Sequence, residues 1–234
     1  MRIVAWDLEC SSLSADFGMI ICCGMRDVDK GKTEVYSIRD YPEKDPIRAE
    51  KLLLKDISKR LLEADVWVAH YGKYFDTVFL NTRLLYHGLP TMPPNFPLID
   101  TWRTSRNQLK LRSNRLVTIQ DFLRLKNTKN SILPEQWIRA LGGDAKSLRY
   151  IEEHCRRDVD VLVDVYHKLK PLMLDHPSKG LFDGRGGCGV CGGKKLQKRG
   201  FHVTRTRCYQ RFQCQSCGSW SKSAKPTKAE IVST

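Results

Sequence analysis

Two acidic side chains near the amino terminus have the spacing of a paired ligand set. Asp7 and Glu9 are separated by one residue at the end of a short apolar run, residues 3–9, which is typical of a buried strand. Alternate side chains of a strand point to the same face, so the two carboxylates lie side by side. Carboxylates that close repel each other unless a cation lies between them.

Three further residues could complete such a site. His154 and Asp158 are four residues apart in a segment with helical apolar spacing, so both side chains project from one helix face. Asp76 opens the helix that follows another buried strand, a position where open α/β sheets build sites. Four carboxylates offer oxygen ligands of the kind that Mg²⁺ or Mn²⁺ prefers. An imidazole, with an ordinary pKa of about 6.5, can accept a proton near neutral pH.

The elements that must position these residues follow from the apolar pattern. Strands are predicted at 3–9, 19–25, 33–38, 66–69 and 98–100, and helices at 45–64, 75–87, 116–125, 134–141 and 147–170. Antiparallel strands followed by strand–helix units and a long final helix indicate a mixed α/β sheet. Asp100 ends the last strand, where a helix cap is favoured over a fifth metal ligand.

The ordered set of motifs resembles a known family. Asp7-Leu-Glu9, Phe75-Asp76 and His154-Cys-Arg-Arg-Asp158 are similar to the three motifs of the DEDD family of 3′-to-5′ exonucleases, over about residues 1–170. The resemblance implies an RNase H-like fold: a five-stranded sheet, its first three strands antiparallel, flanked by helices. It also implies two catalytic Mg²⁺ or Mn²⁺ ions held by Asp7, Glu9, Asp76 and Asp158.

The same resemblance suggests roles for the remaining residues. Leu13 corresponds to a residue that wedges against the terminal base, and Phe75 belongs to a substrate-binding motif. Histidine stands where the tyrosine form of the family has its tyrosine, with three residues before the final aspartate, so His154 either accepts the proton of water or only orients it. Tyr71 occupies a position where relatives often have asparagine. The implied products are nucleoside 5′-monophosphates.

The carboxyl-terminal part carries a second metal-ligand pattern. Cys188 and Cys191 form one Cys-x-x-Cys pair and Cys214 and Cys217 another, each followed by glycine. Two such turns predict a tetrahedral site for one structural Zn²⁺, and the unit resembles zinc ribbons. Replacement of one ligand by Cys208 is a less favoured alternative. So short a unit cannot build a large core, which makes folding dependent on the metal.

Charge distribution suggests what the ribbon binds. Of the 40 Lys and Arg residues 12 lie from His176 onward, with only 2 of the 26 acids, so this segment carries +10 of the formal +14. A surface this basic attracts nucleic acid. Cations alternate with aromatic rings, which suits single strands or 3′ ends, and the candidate contacts are Arg205, Arg207, Tyr209 and Arg211. A ribbon that contacts a protein partner instead is the alternative.

These features predict an exonuclease domain at 1–172, a linker at 173–187 and a zinc ribbon with a basic tail at 188–234. No apolar run approaches the roughly 20 residues of a membrane span. The first residues lack a signal-peptide pattern, so we expect a cytoplasmic protein whose cysteines are thiols or metal ligands.

The predicted activity is 3′-to-5′ hydrolysis of phosphodiester bonds in DNA or RNA by a two-metal mechanism. Two alternatives stay open: a catalytically silent nucleic-acid-binding module, and a structure-selective endonuclease on the same fold. The sequence does not separate DNA from RNA, because contacts to the 2′-hydroxyl follow no motif.

Overall fold

The computed structural model describes residues 1–125, 132–184 and 186–227. By its internal contacts the chain divides into two compact units: Arg2–His167, and Met1 together with Lys168–Thr234. Residues 228–234 of the predicted basic tail lie outside the described residues. Within the described part, no helix has the length and apolar character that crossing a membrane requires.

The unit Arg2–His167 is built on one mixed sheet. Its strands are β1 (Ile3–Cys10), β2 (Ile20–Asp27), β3 (Glu34–Ser37), β4 (Val66–Ala69) and β5 (Leu98–Asp100). The strand order is β3-β2-β1-β4-β5, with β1, β2 and β3 antiparallel and β4 and β5 parallel to β1. The predicted RNase H-like sheet is confirmed, including its three antiparallel first strands.

Helices cover both faces of this sheet. They are α1 (Pro46–Leu62), α2 (Asp76–Tyr86), α3 (Thr101–Gln108), α4 (Leu116–Phe122), α5 (Pro134–Leu141) and α6 (Ala145–Leu169), with a 3₁₀ turn at Ile38–Asp40. On one face, side chains of β1 and β4 pack with α1 and α2 in a core that contains the buried Trp6 and Trp67. On the other face, Ile21 and Cys22 of β2 pack with residues of α5 and α6, among them Ile151 and Cys155.

Helix α3 was not predicted. Its sequence, Thr-Trp-Arg-Thr-Ser-Arg-Asn-Gln, is too polar to show an apolar period, although Asp100 before it gave a cap signal. The Asp100 carboxylate accepts hydrogen bonds from the backbone N–H groups of Trp102 and Arg103. Asp100 is therefore the cap of α3, as its position suggested.

The relative lengths of β1 and β4 create the edge where the acids lie. Only Ile3–Ala5 of β1 pairs with β4, at Val66–Val68, so the following residues of β1 extend beyond their parallel neighbour. Asp76 fills part of this gap, since its Oδ1 accepts a hydrogen bond of 3.1 Å from the Leu8 N–H. The start of α2 is thereby attached to the backbone between Asp7 and Glu9.

A glycine on β2 sets the spacing between the sheet and α6. Gly24 pairs with Asp7 across the β1–β2 ladder. A Cβ atom at this position would lie 2.8 Å from Cγ2 of Val159 and 3.0 Å from Sγ of Cys155, closer than real Cβ contacts. The absence of a side chain at Gly24 lets α6 pack close to the strand that carries Asp7.

The second unit contains a small antiparallel sheet. Its strands, in order, are β6 (Leu196–Val203), β7 (Cys208–Cys214) and β8 (Trp220–Lys222). Within the segment predicted as a linker, the structure places a helical turn, α7 (Lys179–Phe182). This turn is held by hydrogen bonds from the N–H of Lys179 to the Gly189 carbonyl and from the N–H of Gly186 to the Gly180 carbonyl.

Candidate active site and metal centres

Three side chains from β1 and α6 converge at the edge of the larger sheet. The Nε2 atom of His154 lies 3.6 Å from Oδ2 of Asp158 and 3.8 Å from Oε1 of Glu9. One ligand atom from each of these residues lies within 4.8 Å of the others, and the same holds for Asp7, Glu9 and Cys155. Both groups share Glu9, so Asp7, Glu9, His154 and Asp158 form one continuous cluster.

Asp76 reaches the cluster from a different direction and is more deeply buried. It is 3% exposed. Among the described residues, the two groups of ligand atoms at this edge that lie within 4.8 Å of one another do not include an atom of Asp76. Burial raises its pKa to about 7, opposed by hydrogen bonds from the N–H groups of Leu8 and of Asp76 itself, and the Asp100 charge raises it further. A buried carboxyl beside other acids favours its protonated form until a cation or a proton neutralises it.

The donor set at this edge fits a hard divalent cation. Asp7, Glu9 and Asp158 offer carboxylate oxygens, and Asp76 adds a carboxyl whose pKa is raised by its burial. These four residues would hold Mg²⁺ or Mn²⁺. The thiol of Cys155 lies beside them, but it is fully buried and donates to the carbonyl oxygen of Asp7 at 3.7 Å.

The loop between β1 and β2 presents Leu13 to solvent. Leu13 is 87% exposed, and a second apolar side chain of the same loop, Phe17, is 76% exposed. The loop is attached to a buried ion pair: Arg83 of α2 donates to the Ala15 carbonyl at 3.0 Å and to Oε2 of Glu50 at 2.6 Å. Glu50, which is fully buried, also accepts from the Ile20 N–H at the start of β2.

That ion pair was not identified in the sequence, because Glu50 and Arg83 lie on different helices. His87 also contacts it, with Nε2 lying 2.7 Å from Oε2 of Glu50. Breaking a buried pair by removing one partner costs about 3–5 kcal/mol, because a buried charge is left uncompensated. The Glu50–Arg83 pair therefore fixes the loop that carries Leu13.

Phe75, the other predicted substrate contact, packs largely on the core. It is only partly exposed and its ring centroid lies 5.6 Å from that of Phe79. The rings nearby that face solvent are Tyr71 and Tyr74, which flank Gly72 and Lys73 in the loop between β4 and α2. Sequence reasoning noted Tyr71 but did not identify Tyr74.

In the second unit the four predicted thiols come together. The Sγ atoms of Cys188 and Cys217 are 3.7 Å apart, and those of Cys191 and Cys214 are 3.6 Å apart. Sulfurs bound to one tetrahedral Zn²⁺ at 2.3 Å would be about 3.8 Å apart. The four residues therefore have the arrangement that a Zn²⁺ site requires. Cys208 is not part of the group.

The thiol of Cys214 ionises more readily than that of an ordinary cysteine. Burial raises the pKa of the Cys214 thiol, but hydrogen bonds from the backbone N–H groups of Cys217 and Ser216, together with those from the neighbouring thiols of the group, outweigh that effect. The pKa of Cys214 is lowered to about 7. The Gly193 N–H donates to Sγ of Cys191 at 3.4 Å and lowers the pKa of that thiol, but burial outweighs this contact and the pKa of Cys191 is raised to about 12. Backbone N–H groups directed at sulfur stabilise the thiolate, the form in which cysteine binds metal.

The candidate nucleic-acid contacts of the ribbon lie in two places. Tyr209 and Arg211 are on β7, and their side chains share one face with β8 residues: Nζ of Lys222 is 4.7 Å from the Tyr209 ring centroid, and Cζ of Arg211 is 5.2 Å from that of Trp220. Arg205 and Arg207 are exposed in the turn before β7. The structure thus groups two of the four predicted residues on one face and two on a turn.

Comparisons with known proteins agree with this architecture. The family model described as RNase_H superfamily matches residues 4–170. Among solved structures, a family B DNA polymerase from the hyperthermophilic archaeon Pyrobaculum calidifontis is similar, with a TM-score of 0.56 and 16% identity. The match covers 73% of this chain and 25% of the polymerase chain, so it shows a shared fold over about a quarter of the polymerase. No curated protein matches the chain significantly. On the family match, which includes the sheet and all five candidate catalytic residues, the chain belongs to the RNase H superfamily.

Proposed function

We propose that this protein is a metal-dependent 3′-to-5′ exonuclease that removes nucleoside 5′-monophosphates from the ends of DNA or RNA strands. The observation that carries the proposal is the convergence of His154 with Glu9 and Asp158, at 3.8 and 3.6 Å, on an edge that also holds Asp7 and Asp76. Membership of the RNase H superfamily supports nuclease chemistry in general.

The reaction would be the hydrolysis of the terminal phosphodiester bond. A water oxygen attacks phosphorus, the bond from phosphorus to the 3′ oxygen breaks, and the departing 3′ oxygen takes a proton from solvent. His154 accepts the proton of the attacking water, and its neighbours Glu9 and Asp158 stabilise the imidazolium that forms. Divalent cations held by the four carboxylates would lower the pKa of water and neutralise charge on the leaving oxygen.

The strand end would be positioned by groups on the same edge. Leu13, an exposed residue of the loop to which Arg83 donates a hydrogen bond, would press against the last base. The ribbon would hold the strand farther from its end, through Tyr209 and Arg211 on one face and Arg205 and Arg207 on the neighbouring turn. In this proposal the larger unit performs the chemistry and the zinc-bound unit adds affinity.

Labelled oligonucleotides test the proposal directly. DNA and RNA strands carrying a 5′ label are incubated with Mg²⁺, with Mn²⁺ or with EDTA, and the products are separated by length. We expect labelled strands that shorten from the 3′ end and no cleavage in EDTA, with the unlabelled 5′-mononucleotides identified by mass spectrometry. Asp7→Asn and Asp158→Asn should abolish the reaction, and Asp164→Asn, on the same helix as Asp158 and exposed, is the matched control.

The alternatives give different results. Cleavage of a circular single strand would show an endonuclease, and binding without cleavage under every metal condition would show a silent module. Equal cleavage by Asp158→Asn and the parent protein would remove the assignment of the site.

A further inference from the structure

A cluster of three aromatic rings lies on the same sheet edge as the acids, one strand farther along. Tyr71 and Tyr74 belong to the loop after β4, and Trp102 belongs to the first turn of α3, after β5. Ring centroids are 5.1 Å apart for Tyr71 and Tyr74, 4.9 Å for Tyr71 and Trp102, and 5.9 Å for Tyr74 and Trp102. We name Tyr71, Tyr74 and Trp102 the ring cluster.

Asp100 holds the two segments of the ring cluster together. Its carboxylate accepts hydrogen bonds from the backbone N–H groups of Tyr71 at 3.0 Å and Lys73 at 3.3 Å, on the β4 side. It also accepts from the N–H groups of Trp102 and Arg103, at the start of α3. One buried carboxylate therefore fixes both the loop and the helix that carry the rings.

The two tyrosines of the ring cluster are exposed, and Trp102 is only partly buried. The buried tryptophans of this unit, Trp6 and Trp67, are at most 1% exposed, whereas Tyr71 is 42% and Tyr74 52% exposed. Tyr71 also has a φ of 68°, a left-handed conformation that a bulky residue adopts only where its surroundings impose it. Grouped aromatic side chains that face solvent mark a binding surface.

Positive charge in the segment that carries Trp102 indicates what the ring cluster binds. Residues 101–115 contain five arginines and lysines and no acid, Arg103, Arg106, Lys110, Arg112 and Arg115. The guanidinium carbon of Arg106 lies 5.4 Å from the Trp102 ring centroid, and Lys73 lies between the two tyrosines in the loop. Flat rings beside cations suit a ligand that has flat bases and a chain of phosphates.

The ring cluster is adjacent to the candidate catalytic edge. Gly72, between its two tyrosines in the chain, has no side chain, and a Cβ atom there would collide with Ala69 and lie 3.6 Å from Oδ2 of Asp76. The loop is thus packed directly against the acid that begins α2. A strand whose end reaches Asp76 can extend across Tyr71 and Tyr74 towards Trp102.

We infer that the ring cluster is a stacking site for unpaired bases of a single-stranded nucleic acid. Base-paired duplex would not fit this role, because stacking on a protein ring requires a base face that is free of its neighbours. The inference deepens the proposed function, on which it rests for the strand at this edge, and it specifies a single-stranded 3′ segment as substrate. Stacking on one ring strengthens binding by about 5- to 150-fold per base.

Binding measured without cleavage tests the inference. The full-length protein in EDTA is titrated into a fluorescein-labelled thymidine hexanucleotide and into an abasic strand of the same length. Tyr74→Ala and Trp102→Leu should each weaken binding to the hexanucleotide about tenfold and change binding to the abasic strand less than twofold. Tyr86→Ala, which removes an equally exposed tyrosine at the far end of α2, should bind both strands as the parent does.

Cross-linking identifies which rings contact the bases even if the ribbon supplies most of the affinity. A hexanucleotide with 5-iodouracil near its 3′ end is irradiated with the protein, and the linked peptides are identified by mass spectrometry. We expect links to Tyr74 or Trp102. Links confined to Tyr209 or Trp220 of the ribbon, or parent-like affinity in both ring variants with melting curves that show them folded, would overturn the inference.

The outcome is separable from that of the proposed function. Ring-dependent binding by a protein that cleaves nothing would leave the stacking site intact and remove the exonuclease proposal. Cleavage of single strands with no dependence on the ring cluster would do the opposite.

Discussion

The two clusters of candidate metal ligands relate to their surroundings in opposite ways. Asp7, Glu9 and Asp158 lie at the edge of a sheet whose apolar core is complete without them. In the second unit the buried apolar cluster consists of two of the thiols, Cys188 and Cys214, with Val190 as its one other fully buried member. The acidic cluster lies on a fold that has its own apolar core. The four thiols supply most of the core of the second unit.

Loss of metal should therefore have different consequences for the folding of the two units. A site at the edge of an independent core can exchange its cations without unfolding, which suits catalysis. A site that replaces a core makes the folding free energy equal to the binding free energy of the metal. Removing metal should therefore silence the larger unit and unfold the smaller one.

Loss of one thiol is the largest expected effect. Cys214→Ser leaves a three-thiol site around a unit with almost no other core, so we expect residues after about Gly187 to unfold while the unit Arg2–His167 stays folded. Zinc content, limited proteolysis and melting curves measure this. On long strands affinity should fall tenfold or more, and on short ones turnover should hardly change.

Cys208 provides the matched control for that experiment. It belongs to the same strand as Cys214 but lies outside the four-thiol group. Cys208→Ser should keep the zinc and the protease resistance of the parent. A Cys214→Ser protein that stays protease-resistant without zinc would contradict the contrast between the two units.

Substitution of His154 tests whether a change at the candidate active site of the larger unit lowers the cleavage rate and leaves the fold intact. If His154 accepts the proton of water, His154→Ala should lower the single-turnover rate by about 10² to 10⁴ with unchanged melting temperature. Arg157→Ala removes a partly exposed side chain of the same helix that pairs with Glu153, and it should be close to the parent. If His154→Tyr retains the parent's rate, His154 only orients water and the base assignment is wrong.

The effect expected from Asp76 is smaller, and it concerns the stability of the metal-free protein. Its folded pKa of about 7 lies above the ordinary value of 3.8, so in EDTA the folded state binds the proton more tightly than the unfolded chain does. The stabilisation is complete below about pH 4 and is lost as the pH rises through 7. Urea unfolding of the metal-free parent across this range should show the loss.

Asp76→Asn should remove most of that pH dependence and leave the variant more stable than the parent above pH 7. Asp144 serves as a control of opposite sign, because hydrogen bonds from the side chain and N–H of Ser147 hold the pKa of its carboxyl below the ordinary value. Asp144→Asn should therefore lower stability at neutral pH. If the difference in stability between the metal-free parent and Asp76→Asn does not change between pH 4 and 7, burial does not raise the pKa of Asp76.

Much of this arrangement could be predicted from local spacing. A separation of two on a strand and of four on a helix places Asp7 with Glu9 and His154 with Asp158, whatever the rest of the chain does. The meeting of the two pairs was predicted from their positions at strand and helix ends and from the family resemblance, and local spacing alone could not give it because it depends on how α6 packs on the sheet. The two Cys-x-x-Cys pairs were predictable for the same local reason, as each forms one turn.

What could not be predicted depends on contacts between distant residues. The Glu50–Arg83 pair joins two helices, and the burial that raises the pKa of Asp76 comes from the whole edge of the sheet. Helix α3 escaped prediction because its stability comes from Asp100 and from packing, with little apolar period of its own. The ring cluster depends on α3 and was missed with it.

Gly24 shows that an absent side chain can define a catalytic geometry. It has no polar atom beyond its backbone, it is far from His154 in the chain, and no motif includes it. Yet α6 can approach β2 only because position 24 is empty beyond its Cα atom. For anyone who transplants this site into another scaffold, copying five reactive residues would not be enough. The designer would also have to keep a glycine at the position of Gly24, because even a methyl group there would collide with the helix that carries His154 and Asp158.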